Sequence, residues 1–170
     1  MPLAEFDLSK PKCDPKLLLD SGPPRALYRV NPRTIFGKTW WDEVRTWAYK
    51  KYQNSCAACG KRHTKLEAHE VYNIDKKKAR ISIKDIVPLC YDCHSFIHQD
   101  MHRVMLKRGE LKHSDVVRII AHGTNLLKKY KIRNFRKDPN DSGLLDSKWR
   151  LEVNGKLYSW DKDKEIYNVE

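Results

Sequence analysis

The chain has 170 residues, 40% hydrophobic and 33% charged, with a formal net charge of +12. That length suits one domain with extensions, and a core modest enough to gain from a metal staple. No stretch approaches the roughly 20 apolar residues of a membrane span, and the opening MPLAEFDLSKPK has neither the apolar run nor the cleavage pattern of a signal peptide. A cytoplasmic protein with no membrane partner is expected, in a compartment where thiols stay reduced.

Residues 1–38 hold six of the eight prolines. Proline is excluded from helix interiors and central strands, so this segment reads as an extended, Pro-rich N-terminal arm carrying Arg25, Arg29 and Arg33. Thr39 then precedes WWDEVRTWAYKKY, in which Trp40, Val44, Trp47 and Ala48 recur at helical spacing. A helix from about 40 to 53 is predicted, capped by Thr39 with Asp42 at the reciprocal position, and with its tryptophans in the core.

Residues 39–110 form the next predicted domain. CAACG reads as a tight turn. KLEAHEVY and ARISIKDIVPL have strand-like apolar content, joined through Asp75 and a lysine run. A helix is expected from about Asp92 to Lys107, stopped by Gly109. In residues 111–170, Ser114 is placed as the cap of a third helix with an apolar face of Val116, Val117, Ile119, Ile120, Leu126 and Leu127. KWRLEVNGKLYSW carries an Asn154-Gly155 turn between alternating residues, a β-hairpin signal, with this region packed on the core or appended to it.

Four of the five cysteines form two C-x-x-C pairs, Cys56/Cys59 and Cys90/Cys93, separated by thirty residues. In a reducing compartment such pairs are metal ligands before they are disulfides. Four thiolates complete a tetrahedral shell, the closed arrangement of structural zinc, with no position open for substrate. His94 and His98 follow at once. At i and i+4 they share one helix face, about 100° around the helix from Cys93. With His69 from LEAHEVY they offer three ligands to a second ion and leave positions open, as a catalytic metal requires. His102 extends that face and is a candidate DNA contact. His63, His113 and His122 read as surface or packing residues.

The positive charge is clustered. Lys76, Lys77, Lys78 and Arg80 form one run; Lys128, Lys129, Lys131, Arg133, Arg136 and Lys137 form another, interleaved with Tyr130 and Phe135. Basic residues with aromatics suit phosphate neutralisation and base stacking, so nucleic acid is the expected partner.

In this order, C-x-x-C, LEAHEVY and DIVPLCYDCHSFIH resemble the HNH endonuclease family in its zinc-stapled form, over about residues 56–98. The resemblance implies an α+β fold: a ββα-metal core overlapping a treble-clef zinc site, here with added helices, the N-terminal arm and the C-terminal hairpin. It implies hydrolysis of DNA phosphodiester bonds, with nicking as one mode, using a divalent ion such as Mg²⁺, Mn²⁺, Ni²⁺ or Zn²⁺. The small size would suit a phage or mobile-element protein. His69, His94 and His98 match the family's metal ligands. Glu70 falls where the family has its general-base histidine, and Asp85 where it has its asparagine. In one register Glu70 prepares the water; in the other His69 is the base and Glu67 or Glu70 a ligand. An imidazole suits base catalysis at neutral pH better than a carboxylate. A zinc-stapled nucleic-acid-binding protein with a decayed catalytic site is therefore the alternative, and a protein-interaction adaptor a third.

Overall fold

The hairpin predicted around Asn154-Gly155 is present in the computed structural model, which describes residues 12–133, 148–161 and 166–170. Among these the fold is mixed α+β, with four α-helices and a five-stranded sheet. The order is α1 (Pro32–Lys51), β1 (Glu67–Asp75), β2 (Arg80–Leu89), α2 (Tyr91–Ile97), α3 (His102–Lys107), α4 (His113–Lys129), β3 (Arg150–Val153), β4 (Lys156–Asp161) and β5 (Ile166–Val169). The strands lie in the order β1-β2-β3-β4-β5. β2 pairs with β3 in parallel, Ile81 opposite Leu151, and β3-β4-β5 is an antiparallel meander.

The described chain forms two interleaved units. One comprises residues 12–20, 47–69 and 87–133; the other comprises residues 21–46, 70–86 and 148–170 where described. The predicted boundaries at 38/39 and 110/111 do not coincide with these, because each unit is assembled from segments distant in sequence.

In the first unit, α2 packs on α4, and the 3₁₀ turn Pro15–Leu19 packs on both. Leu18, Phe96, Ile119 and Leu127 are buried. Gly123 of α4 marks the closest approach: a Cβ there would lie 2.2 Å from the Phe96 ring. In the second unit Leu27, Val30, Ile81, Trp149, Leu151 and Tyr158 form the core, with Ile35, Phe36 and Trp160 packed against it. The Arg29 guanidinium sits 5.6 Å over the Trp160 ring.

Several sequence expectations require correction. Residues 12–38 are not an extended arm. They fold into 3₁₀ turns at Pro15–Leu19 and Arg25–Leu27 and the start of α1, because Leu18, Leu27 and Val30 have cores to enter. Pro15, Pro24 and Pro32 sit at turn or helix starts, where their fixed φ costs nothing. The α1 span is two helical stretches joined across a kink at Gly37, whose φ of 82° a helix interior cannot hold; the stretch after Gly37 is the helix expected from about 40, and the one from Pro32 was not expected. The single helix expected over 92–107 is broken. His98 caps α2 with φ −94° and ψ 42°, a 3₁₀ turn follows at Gln99–Met101, and α3 starts at His102. Helix α4 starts at His113, one residue before the Ser114 cap position, with Asp115 Oδ2 accepting from the Lys112 N–H at 3.2 Å.

Candidate metal centres

The first cysteine turn follows α1. Cys56 N–H donates to Lys61 O, and Gly60 N–H returns to Cys56 O at 2.8 Å. Gly60 adopts φ 74°, the left-handed conformation this turn needs. The Ala57 N–H donates to Pro88 O at 2.7 Å and ties the turn to the end of β2. Two residues on, Cys90 caps α2 and Cys93 lies in its first turn. The predicted four cysteines therefore meet, their sulfurs all within 4.8 Å of one another.

Tetrahedral Zn–S bonds of about 2.3 Å place the sulfurs about 3.8 Å apart; Cys59 and Cys90 stand at 4.0 Å. Cys56, Cys90 and Cys93 are buried. Their ionisation is mutually opposed. Cys59 is held far below the ordinary thiol range by hydrogen bonds from Cys56, Cys90 and Cys93. Cys90 and Cys93 are pushed up by the sulfurs of Cys56 and Cys59. Four sulfurs this close are all thiolates only around a cation, so the donor set fits a metal such as zinc.

His122 was expected to be bland. It lies on α4 with Nε2 3.3 Å from Cys93 Sγ, and its proton is held above the usual histidine range by the Cys59 sulfur, with Asp92 adding to the effect. The signal available in sequence was its place on the apolar side of α4, one turn from Arg118. Arg118 pairs with Asp92 of α2 and so brings the two helices together.

The second cluster lies on another side of α2. His69, on β1, comes together with His94 and His98, one nitrogen of each within 4.8 Å of the others. The ring centroids are 5.3 Å (His69–His94), 5.2 Å (His69–His98) and 4.7 Å (His94–His98) apart, and the rings are steeply inclined rather than stacked. His69 is buried, His94 half-buried and His98 exposed, so the group opens to solvent on one side. Three imidazoles converging in this way fit a borderline transition ion with open coordination positions.

Two carboxylates support the rings. The His94 Nδ1–H donates to Glu67 Oε2 at 2.6 Å, and His94 holds the Glu67 carboxyl below its usual range. The His69 Nε2–H donates to Asp20 Oδ2 at 2.9 Å. Asp20 was not foreseen; it lies 49 residues from His69, in a segment read as an arm.

The remaining predicted residues lie elsewhere. Glu70 follows His69 on β1 and is half-buried. Neither Glu70 nor Asp85 belongs to the imidazole group; Asp85 Oδ1 accepts from the Ile86 N–H at 2.9 Å. His102 is no surface contact. It is 6% exposed, with Nε2 2.9 Å from both Oγ and O of Ser95, and braces the break after α2. Lys76, Lys77 and Lys78 occupy the turn between β1 and β2, where Asp75 Oδ1 accepts from the Lys77 and Lys78 N–H groups, and Arg80 starts β2. Lys128, Lys129, Lys131 and Arg133 are exposed at and beyond the end of α4, while Arg136 and Lys137 lie outside the described residues. Among the described residues, no helix is long and apolar enough to cross a membrane.

Comparison of the chain with family models, with curated proteins and with solved structures finds no match in any of the three.

Proposed function

We propose that the protein is an HNH-like, metal-dependent endonuclease acting on DNA, built on a ββα-metal core with a structural zinc. The observation that carries this reading is the pairing of two clusters on one short helix. Four thiols, three of them buried, form a set with no place for substrate, and three imidazoles form a set open to solvent. The order of hairpin β1-β2 followed by α2 supports it. So do the exposed cations of the β1-β2 turn and of the α4 end, which suit a phosphate backbone.

In this proposal His69, His94 and His98 hold a divalent ion. When bound, the ion supplies charge neutralisation at the scissile phosphate and the leaving oxygen. Glu67 and Asp20 keep the imidazoles oriented. Glu70 is the proposed base; a carboxylate gains the basicity for that task by desolvation. Lys76, Lys77, Lys78 and Arg80, with Lys128, Lys129, Lys131 and Arg133, hold phosphates and read no bases, so low sequence specificity is expected.

The test is nicking of supercoiled plasmid with Mg²⁺, Mn²⁺ or Ni²⁺, by the wild type and by His94→Ala, Glu70→Ala and Glu70→His. Cleavage that disappears in His94→Ala and rises in Glu70→His supports the reading. Bound but uncut DNA with every metal sinks it. That result would favour the second reading, a zinc-stapled nucleic-acid-binding protein, which draws support from the position of Glu70 outside the imidazole group.

A further inference from the structure

The 3₁₀ turn Pro15–Leu19 ends on Asp20, whose N–H donates back to Leu17 O. The turn is firmly held. Leu18 is fully buried, Asp14 Oδ1 accepts from the Lys16 N–H, and the Asp14 N–H donates to Ala57 O at 2.8 Å. Ala57 lies between Cys56 and Cys59, so the segment leading to Asp20 is fastened to the first cysteine turn. Asp20 is 13% exposed and reaches the Nε2 atom of His69, which is 3% exposed.

A carboxylate oxygen accepts and does not donate, so the ring nitrogen facing it carries the proton. His69 is thereby set as the Nε2–H tautomer, with its lone pair on Nδ1. His94 is set the other way, because Glu67 takes its Nδ1–H and leaves the lone pair on Nε2. Each ring then has one nitrogen engaged by a carboxylate and one left to ligate, the arrangement in which outer carboxylates fix ring orientation and raise ligand basicity.

We infer that Asp20 is a positioning residue of the histidine site, holding His69 in the Nε2–H tautomer so that Nδ1 serves a bound transition ion. The inference rests on the reading of the three imidazoles as a metal site. It joins the proline-rich N-terminal segment to that site, and it makes the ion a borderline one such as Co²⁺, Ni²⁺ or Zn²⁺, because neutral imidazoles suit these better than Mg²⁺.

The experiment uses the full chain with one zinc per molecule already bound. Co²⁺ and Ni²⁺ are titrated calorimetrically into the wild type, Asp20→Ala and Asp20→Asn. Long-range ¹H–¹⁵N spectra before titration show which nitrogen of His69 is protonated. Asp20→Ala is expected to lose 10–100-fold in affinity, as outer-shell partners do. Asp20→Asn keeps an acceptor oxygen in place and is expected to recover most of it. The wild-type spectrum is expected to show Nε2–H. Unchanged affinity in Asp20→Ala, an Asp20→Asn variant as weak as Asp20→Ala, or Nδ1–H in the wild type would each overturn the inference. A wild type that takes up no second ion overturns the metal reading and this inference together, whereas two ions in the wild type with an indifferent Asp20→Ala overturns the inference alone. Should Asp20→Ala lose its zinc, Asp20→Asn and the wild-type spectrum decide.

Discussion

Cys93 and His94 are successive residues of α2, yet Cys93 belongs to the four-sulfur cluster and His94 to the imidazole cluster. One residue step turns a helix by about 100°, enough to place two ligand sets on different sides of the same short element. The two sites therefore share a scaffold and no ligand, and they should be separable by mutation.

His94→Ala is expected to keep one tightly held zinc and the wild-type circular dichroism. Binding of a second ion should fall by at least about 100-fold, since loss of even an outer-shell partner reaches that figure. Cys93→Ala is expected to lose the zinc and the fold of its unit together. Metal counting by mass spectrometry under native conditions reads both outcomes. A His94→Ala protein without zinc would show that the clusters are not independent.

Chelation of the zinc should open the unit that contains it. Structural zinc contributes about 10–16 kcal/mol of apparent binding energy in small domains, more than the usual 5–15 kcal/mol stability of a whole domain leaves to spare. With EDTA, amide protection in α2 and α4 is expected to collapse, and zinc to restore it. Protection that survives chelation would mean that Leu18, Phe96, Ile119 and Leu127 suffice without the metal.

Gly123→Ala probes the contact between α2 and α4. Alanine is the better helix former by about 1 kcal/mol, but its Cβ would sit 2.2 Å from Phe96 Cδ2. Overpacking is expected to win by about 1–3 kcal/mol, lowering Tm by roughly 2–4 °C for each kcal/mol at this size. Adding Phe96→Leu should restore part of the loss. A higher Tm for the single variant would contradict the packing.

His102→Ala should weaken the fold and leave DNA binding unaltered at temperatures where the variant is folded, because its ring is buried against Ser95. Lys128→Gln with Lys129→Gln should do the reverse: Tm stays within a degree or two, and the dependence of log K on log salt becomes shallower by about 2 at most. Filter binding over a salt series measures both. An unchanged slope in the double lysine variant would remove that end of α4 from the proposed DNA contact.

Turn signals and ligand spacing in the sequence were sound. Asn154 and Gly155 have φ of 52° and 76°, the two positive values of the hairpin turn that such a pair favours. Gly109 has φ 71° and ends α3. The two C-x-x-C pairs and the histidine spacing also located both clusters before any fold was in view, because knuckles and i, i+4 pairs are set by a few neighbouring residues. Distant pairings were not legible. Nothing near Asp20 points to His69, nothing in Ile81 to Leu151, and nothing in a proline-rich run to Leu18, Leu27 and Val30 entering two cores. The break at His98 was hidden for the same reason: it is held by the buried His102, whose polar type reads as surface.

The parallel pairing of Ile81 with Leu151 also sets an order of events on the ribosome. Residues up to the end of α4 contain every described element of the unit with the four clustered cysteines, so that unit has all its parts before the last strands are made. The β1-β2 hairpin has to wait with one edge unsatisfied until β3 emerges, and contacts so far apart in the chain close slowly. Nascent chains stalled before residue 148 should therefore be sticky at β2, and a chaperone that covers strand edges would be needed there more than at the cysteine and histidine clusters.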